Sequence, residues 1–170
     1  MKDKFVRLAG IAYESLANGP GLRRVFFAQG CAHNCKGCFN PSTHDFKSGQ
    51  LKNIDDLVHD VSENPLIKGV TFSGGDPFYQ AEAFGYMAEK IKKLKLNIWC
   101  YTGYKFEYIL DNMKRESGSI NLLKNIDVLV DGKFEKDKMD TSLRFRGSSN
   151  QRIIDVQASF KSKNIILMEF

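Results

Sequence analysis

The sequence predicts an α/β fold, an open partial (β/α) barrel of about five parallel strands with crossover helices. Three observations lead there. Short continuous apolar runs such as Val25–Ala28 and Gly69–Phe72 carry the mark of strands buried on both faces. Segments between such runs repeat apolar residues every three or four positions, the period of a helix. The two kinds of segment alternate, which calls for parallel pairing through right-handed crossovers. Five strands are too few for a closed eight-stranded barrel, so the sheet stays open. At 170 residues the chain is expected to form one domain, residues 1–170.

Taken in order, Phe5–Ala12 reads as an edge strand, and Asn18–Gly21 (Asn-Gly-Pro-Gly) as a turn. Val25–Ala28 is the first buried strand, and a cysteine-bearing loop follows it directly. Asn53 is placed to cap a helix whose first turn holds Asp55 and Asp56. Ile54, Leu57, Val58 and Val61 form its buried stripe, and Pro65 ends it. Gly69–Phe72 is the second strand. Gln80–Lys95 is a longer helix with Phe84, Met87, Ala88, Ile91 and Leu94 facing in. Asn97–Tyr101 is the third strand. A helix over Phe106–Met113 follows, then a break at Ser117–Ser119 and a short turn to Lys124. Ile126–Val130 is the fourth strand, and Phe134–Arg146 shows no period and reads as a loop. Gln151–Val156 is a further strand, and Asn164–Phe170 an edge strand.

Composition narrows the classes. A hydrophobic content of 42% suits a globular domain. The mean hydropathy of -0.34 and the lack of a long apolar run exclude a membrane-spanning helix. The net charge of +5 and a pI near 9.0 raise the question of nucleic acid. The lysines are scattered, as in Lys90–Lys95 on a helix face, and no basic-aromatic stripe accompanies them, so solvated faces explain them. The first residues lack an apolar stretch of signal-peptide length. The expected location is cytoplasmic, where thiols stay reduced.

Chemistry concentrates at Cys31, Cys35 and Cys38, spaced C-x3-C-x2-C. Three cysteines this close do not tie distant parts of a fold together, so a disulfide framework fits poorly. Clustered thiolates are soft ligands that select iron–sulfur clusters, zinc or Cu(I). A structural zinc takes four protein ligands, and a ferredoxin-type cluster takes four cysteines. Three cysteines on a cubane leave one iron open to a cofactor or substrate. The competing reading is a zinc site completed by His33, His44 or Cys100. Cys100, inside an apolar run, reads more simply as core. His59 falls between core positions of its helix and is assigned no role.

Four further motifs stand at predicted strand ends, where ligands gather in α/β sheets. Ser73–Pro77 (Ser-Gly-Gly-Asp-Pro) is at least a strand-to-helix turn, and its glycines let backbone approach a ligand closely. Trp99–Tyr104 runs from a buried strand into a turn at Thr102. Asp131-Gly-Lys133 is by itself an ordinary charged turn. Arg146–Arg152 brackets small polar residues with two arginines, a pattern suited to a carboxylate or to a partner's loop.

The cysteine spacing resembles that of the radical S-adenosylmethionine (radical SAM) superfamily. Asn18–Cys31 is similar to the lead-in of the glycyl-radical-enzyme activases, and Asn40–Asp45 to their exit. With Ser73–Pro77, Trp99–Tyr104, Val130–Phe134 and Arg146–Arg152 in order, the match spans residues 18–152. It points to the activases that serve an anaerobic ribonucleoside-triphosphate reductase. The resemblance implies a partial barrel of the radical SAM type. It implies a [4Fe-4S] cluster on Cys31, Cys35 and Cys38, with S-adenosyl-L-methionine on the open iron. Many members carry an aromatic residue just before the third cysteine. Here Gly37 stands there and Phe39 follows, so Gly37, Cys38 and Phe39 are set beside the adenine.

The resemblance further assigns the methionine group to Ser73, Gly74, Gly75 and Asp76, with Thr102, Asp131 and Lys133 as further contacts. Arg146 and Arg152 are implied in docking the partner. The implied reaction is one-electron reduction of the sulfonium by the cluster, giving a 5′-deoxyadenosyl radical that removes a hydrogen from a glycine of the partner. The implied partners are the large subunit of the reductase and a flavodoxin- or ferredoxin-like electron donor, with neither nucleic acid nor membrane. No side chain is implied as acid or base. Three alternatives are an activase of another glycyl radical enzyme, a radical SAM enzyme acting on a small molecule such as a carboxy-deazaguanine synthase, and a zinc-stabilised interaction module.

Overall fold

The computed structural model describes residues 4–113 and 118–170. The expected break at Ser117–Ser119 therefore begins outside the described residues. Among the described residues, eight strands form one sheet: β1 (Phe5–Ser15), β2 (Arg23–Ala28), β3 (Gln50–Asn53), β4 (Gly69–Gly74), β5 (Asn97–Tyr101), β6 (Val128–Asp131), β7 (Arg152–Asp155) and β8 (Ile166–Leu167). Their order across the sheet is β3-β1-β2-β4-β5-β6-β7-β8. Five helices accompany them: α1 (Ile54–Glu63), α2 (Ala81–Lys93), α3 (Phe106–Asn112), α4 (Ser119–Asn125) and α5 (Val156–Ser162).

The expectation of about five parallel strands is corrected here. Only β2, β4, β5 and β6 pair in parallel, each joined to the next through helix. Antiparallel strands flank them, β1 and β3 on one side and β7 and β8 on the other. The reason lies in the connections. The segment from β6 to β7 is a loop broken by a short 3-10 turn, without the crossover helix that a parallel return requires, so β7 comes back antiparallel. β3 (Gln-Leu-Lys-Asn) has no apolar alternation and escaped the sequence reading. α5 was read partly as strand because Val156 continues the apolar run of β7 before the helical turn begins. Asp155 caps that helix, accepting from Ala158 N at 2.8 Å.

Elements that carried a clear period form as their chemistry dictates. Asn53 caps α1, its Oδ1 accepting from Asp55 N at 2.8 Å, and Ile54, Leu57 and Val61 are buried. α2 buries Phe84, Met87, Ala88 and Ile91. Leu94 instead ends the helix and is 36% exposed, against the expectation that it faces in.

Alternation along the strands builds two apolar layers. Phe26, Val70, Phe72, Ile98, Cys100 and Leu129 point to the layer shared with the helices. Trp99, Val128, Val130 and Ile153 form a smaller cluster on the other face, partly covered by Phe145 and Met168. On that face the buried Arg23 donates to Thr71 Oγ1 (2.7 Å) and to the carbonyls of Val70 (2.7 Å) and Pro20 (3.1 Å). Burial lowers its pKa to about 10. Among the described residues, no helix is long and apolar enough to cross a membrane.

Candidate functional site

The C-terminal ends of the parallel strands lie along one rim, and the loops that leave them surround a cavity of about 570 Å³. Its lining includes Cys31, Cys35 and Cys38 from the loop after β2. Ser73, Gly74 and Gly75 come from β4 and its exit, and Thr102 from the exit of β5. Lys133 and Phe134 come from the exit of β6, and Arg146, Gly147 and Gln151 from the approach to β7.

The cysteine loop is anchored at its start. Gly30 N donates to Thr43 O (2.7 Å), and Cys31 N donates to His44 O (3.2 Å). Cys38 N donates to Cys35 O (3.1 Å), turning the loop so that the second and third thiols stay near each other. Asn40 N lies 3.4 Å from Cys38 Sγ. All three thiols are free and half-buried. Burial pushes the Cys31 thiol up to about 11, with Asp76 and the two other thiols adding to the rise and a backbone bond at His33 opposing it. Burial raises Cys35 as well, against a backbone bond at Phe134. Thiols held up in this way keep their protons at neutral pH until a cation displaces them, so metal uptake here releases protons.

The donor set fits a cluster with three protein ligands. It consists of three soft thiols from one loop, facing one cavity. Among the described residues, no three His, Cys, Asp or Glu side chains are grouped to hold a single metal ion. Cys100 is wholly buried in the helix-side core and is absent from the cavity lining. His33 Nε2 is 2.6 Å from Asp76 Oδ2, so that nitrogen is already engaged. His44 does line the cavity.

The glycine loop departs from its expected role in one respect. Gly74 has φ +92°, and a Cβ there would stand 2.6 Å from Ala28 N. At Gly75 a Cβ would stand 2.4 Å from Gly30 O. The close approach that demands glycine is thus to the backbone of β2 and its exit. Gly75 N donates to Ala28 O (2.8 Å), and Asp76 N donates to Gly30 O (3.0 Å), stitching the two loops together.

Four residues named from the sequence do not line the cavity: Gly37, Asp76, Asp131 and Arg152. Asp76 and Asp131 are instead engaged by groups of the protein itself. Asp76 is buried, its Oδ1 accepting from Phe78 N and its Oδ2 from Thr102 Oγ1 and Gly103 N. Asp131 is fully buried, accepting from Phe106 N at the start of α3 and from Arg152 Nε. Arg152, expected at the docking surface, gives its guanidinium to Asp131 and, at 2.7 and 3.0 Å, to Glu107. Those two carboxylates raise its pKa further. Gly37 lies outside the cavity, beside the Lys136 side chain.

Phe39 stays at the rim, 65% exposed, with its ring 4.8 Å from that of Phe134. Lys133 is exposed. Arg146 lines the cavity and donates to Gln151 O at 2.7 Å. Thr102 lines it too, its hydroxyl given to Asp76 and accepting from Tyr104 N.

Sequence reasoning missed Gln151 and undervalued His33. Gln151 Oε1 accepts from Gly147 N (2.9 Å) and Ser148 N (3.1 Å), and its Nε2 donates to Gly132 O (3.0 Å). It thereby shapes the rim between β6 and β7. The signal was its place in the polar Arg146–Arg152 cluster, where the arginines drew the attention.

Known proteins resemble this chain over most of its length. Residues 17–154 match the family model described as a 4Fe-4S single cluster domain. The anaerobic ribonucleoside-triphosphate reductase-activating protein of Enterobacteria phage T4 is 39% identical over 143 residues, spanning 80% of this chain and 85% of that protein. The proteins of the same name from Vibrio cholerae serotype O1 and Escherichia coli K12 are 36% and 35% identical, spanning 81% and 80% of this chain and 90% of each. QueE from Escherichia coli superimposes with a TM-score of 0.44 at 13% identity, over 59% of this chain and 54% of that one, too low to carry an argument.

Proposed function

We propose that this chain, which belongs to the family of anaerobic ribonucleoside-triphosphate reductase-activating proteins and to that of the 4Fe-4S single cluster domain, sets a glycyl radical on the large subunit of an anaerobic (class III) ribonucleoside-triphosphate reductase. The observation that carries this reading is the convergence of Cys31, Cys35 and Cys38 on one cavity at the rim of the parallel strands, in a chain of that family. The cluster these residues would hold, with S-adenosyl-L-methionine at its open iron and an electron from a flavodoxin- or ferredoxin-like donor, supplies a 5′-deoxyadenosyl radical that takes the glycine hydrogen.

The chain's own work is binding, orientation and exclusion of water. The three thiols fix one side of the cavity. Ser73, Gly74, Gly75 and Thr102 present backbone and hydroxyl groups on the adjoining wall, suited to the amino and carboxylate ends of the methionine. Lys133 brings a mobile positive charge for that carboxylate. Phe39 offers a flat apolar surface at the rim for the adenine. Arg146, at the open side, is placed to order an incoming glycine-bearing loop, which must come to near-contact distance for hydrogen abstraction. No side chain is required to move a proton.

The test is anaerobic purification followed by mixing with reductase, S-adenosyl-L-methionine and dithionite. The expected result is a brown protein that bleaches on reduction and a glycyl-radical doublet on the reductase by electron paramagnetic resonance. Cys31→Ala, Cys35→Ala and Cys38→Ala each lose the iron, and Cys100→Ala keeps it. A colourless protein with stoichiometric zinc overturns the reading. So does conversion of a small molecule with no radical on any protein partner.

A further inference from the structure

His33 lies between the first two cysteines, yet its ring belongs to a different part of the site. The imidazole is 7% exposed, and its Nε2 stands 2.6 Å from Asp76 Oδ2. The same Oδ2 accepts from Thr102 Oγ1 (2.8 Å) and Gly103 N (2.9 Å), and Oδ1 accepts from Phe78 N (2.9 Å). A carboxylate that receives backbone N–H groups on both oxygens acts as acceptor, so His33 Nε2 carries the hydrogen. Tyr104 meets the ring edge-on at 4.6 Å, and Tyr79 lies at 5.7 Å. The ring also rests against Gly103, where a Cβ would fall 2.5 Å from His33 Cδ2. One buried carboxylate thus joins the loops that follow β2, β4 and β5.

We propose that His33 is a positioning residue that holds the cysteine loop, through Asp76, in fixed register with the glycine loop and the Thr102 turn. The loop needs such a hold. Its central backbone bond, Cys38 N to Cys35 O, is internal, and Asn34 at its tip is in the left-handed region at φ 52°. The bond from His33 fixes the middle of the loop before any cluster arrives. A site held in place beforehand gives up less freedom on binding. The thiols and the neighbouring polar backbone then behave as one body. The inference rests on the proposed cluster reading for its purpose, and on the hydrogen bonds alone for its mechanics.

Two substitutions separate the bond from simple filling of space. His33→Phe keeps an aromatic ring against Tyr79 and Tyr104 and removes the donor. His33→Gln loses the ring and keeps a donor able to reach Asp76. Two quantities are read. One is amide hydrogen exchange over residues 31–38 in the cluster-free protein. The other is iron and sulfide taken up on anaerobic reconstitution. In His33→Phe, exchange across the loop is expected to rise about tenfold, the scale of one lost buried hydrogen bond, and iron uptake to fall. His33→Gln is expected to recover most of both. The reverse ranking, with His33→Phe like wild type and His33→Gln impaired, overturns the proposal in favour of ring packing. Should His33→Phe fail to fold by circular dichroism, the smaller His33→Leu carries the same comparison. Wild-type protein that takes up no iron sinks the cluster reading and leaves the exchange comparison intact. Wild type with iron and His33→Phe unchanged in both readouts sinks the tether alone.

Discussion

Asp76 and Asp131 stand in equivalent places, each near the end of a parallel strand and each buried, but opposite chemistry holds them. Asp76 is satisfied by a histidine, a hydroxyl and two backbone N–H groups, drawn from three loops around the thiols. Asp131 is satisfied mainly by charge, through the guanidinium of Arg152, with Phe106 N completing the shell. One half of the rim is stitched by directional bonds between loops. The other is clamped by an ion pair that spans α3, β6 and β7 and extends to Glu107. An acid at a strand end is therefore no sign of ligand contact by itself, since the rim needs its own internal acceptors. Orphaned donors should be costly on the first side and an orphaned charge on the second.

The most severe way to break the comparison is at the backbone under Asp76. Gly74→Val sets a β-branched side chain at φ +92° against Ala28 N. Strain and overpacking together are expected to cost about 4 kcal/mol or more, read as a lost or strongly shifted urea transition. Near-wild-type stability would mean that β2 and β4 can separate without harm. Next, Arg152→Ala leaves the fully buried Asp131 carboxylate, among the described residues, with Phe106 N and the distant Lys105, 3.9 Å away. A loss of about 3–5 kcal/mol is expected, as for a buried pair deprived of one partner.

Removal of the acids sharpens the contrast. Asp76→Ala strands Phe78 N, Gly103 N, the Thr102 hydroxyl and His33 Nε2, at about 3 kcal/mol for several unsatisfied groups. Asp131→Ala is expected to cost less, about 2 kcal/mol, because Arg152 keeps Glu107 and some access to water. A larger loss for Asp131→Ala would show that charge outweighs the loop stitching.

The smallest effect concerns pH. Arg152 holds the Glu107 carboxyl below its ordinary value of 4.5. A lowered carboxylate stabilises the fold above that ordinary value and loses its contribution as pH falls through the folded one. Glu107 is half-exposed, so Glu107→Gln should cost under about 1 kcal/mol at neutral pH. The difference from wild type should close on acidification below 4.5. A gap that persists in acid would mean that the ion pair contributes nothing.

What could be read from the sequence follows the same division. The four central strands were legible because burial on both faces writes itself as apolar runs, as in Val70 to Phe72 or Val128 to Val130. The thiols were legible because their spacing has few structural uses. β3 was not, since its pairing with β1 rests on backbone bonds that Gln50 and Lys52 do not advertise. The antiparallel return of β7 was hidden because Ile153 and Ile154 look alike in either direction. The internal partners of Asp76, Asp131 and Arg152 were not legible for one reason: sequence shows that a charge is present but not which neighbour neutralises it. His33 carried a hint, as an imidazole within a cysteine loop, but its partner lies 43 residues away.

The two ends of the sheet have a consequence for how this protein meets other chains. Its outermost strands are β3, four residues long, and β8, two residues long. Such short borders offer little template of their own, as natural sheets arrange against fibre-like stacking, but β3 pairs with β1 only along Phe5–Leu8, and β1 runs on to Ser15. A visiting polypeptide that extended the sheet laterally would therefore find its longer template on β1 past Leu8. At the strand tips an arriving chain meets loop side chains instead of a backbone ladder.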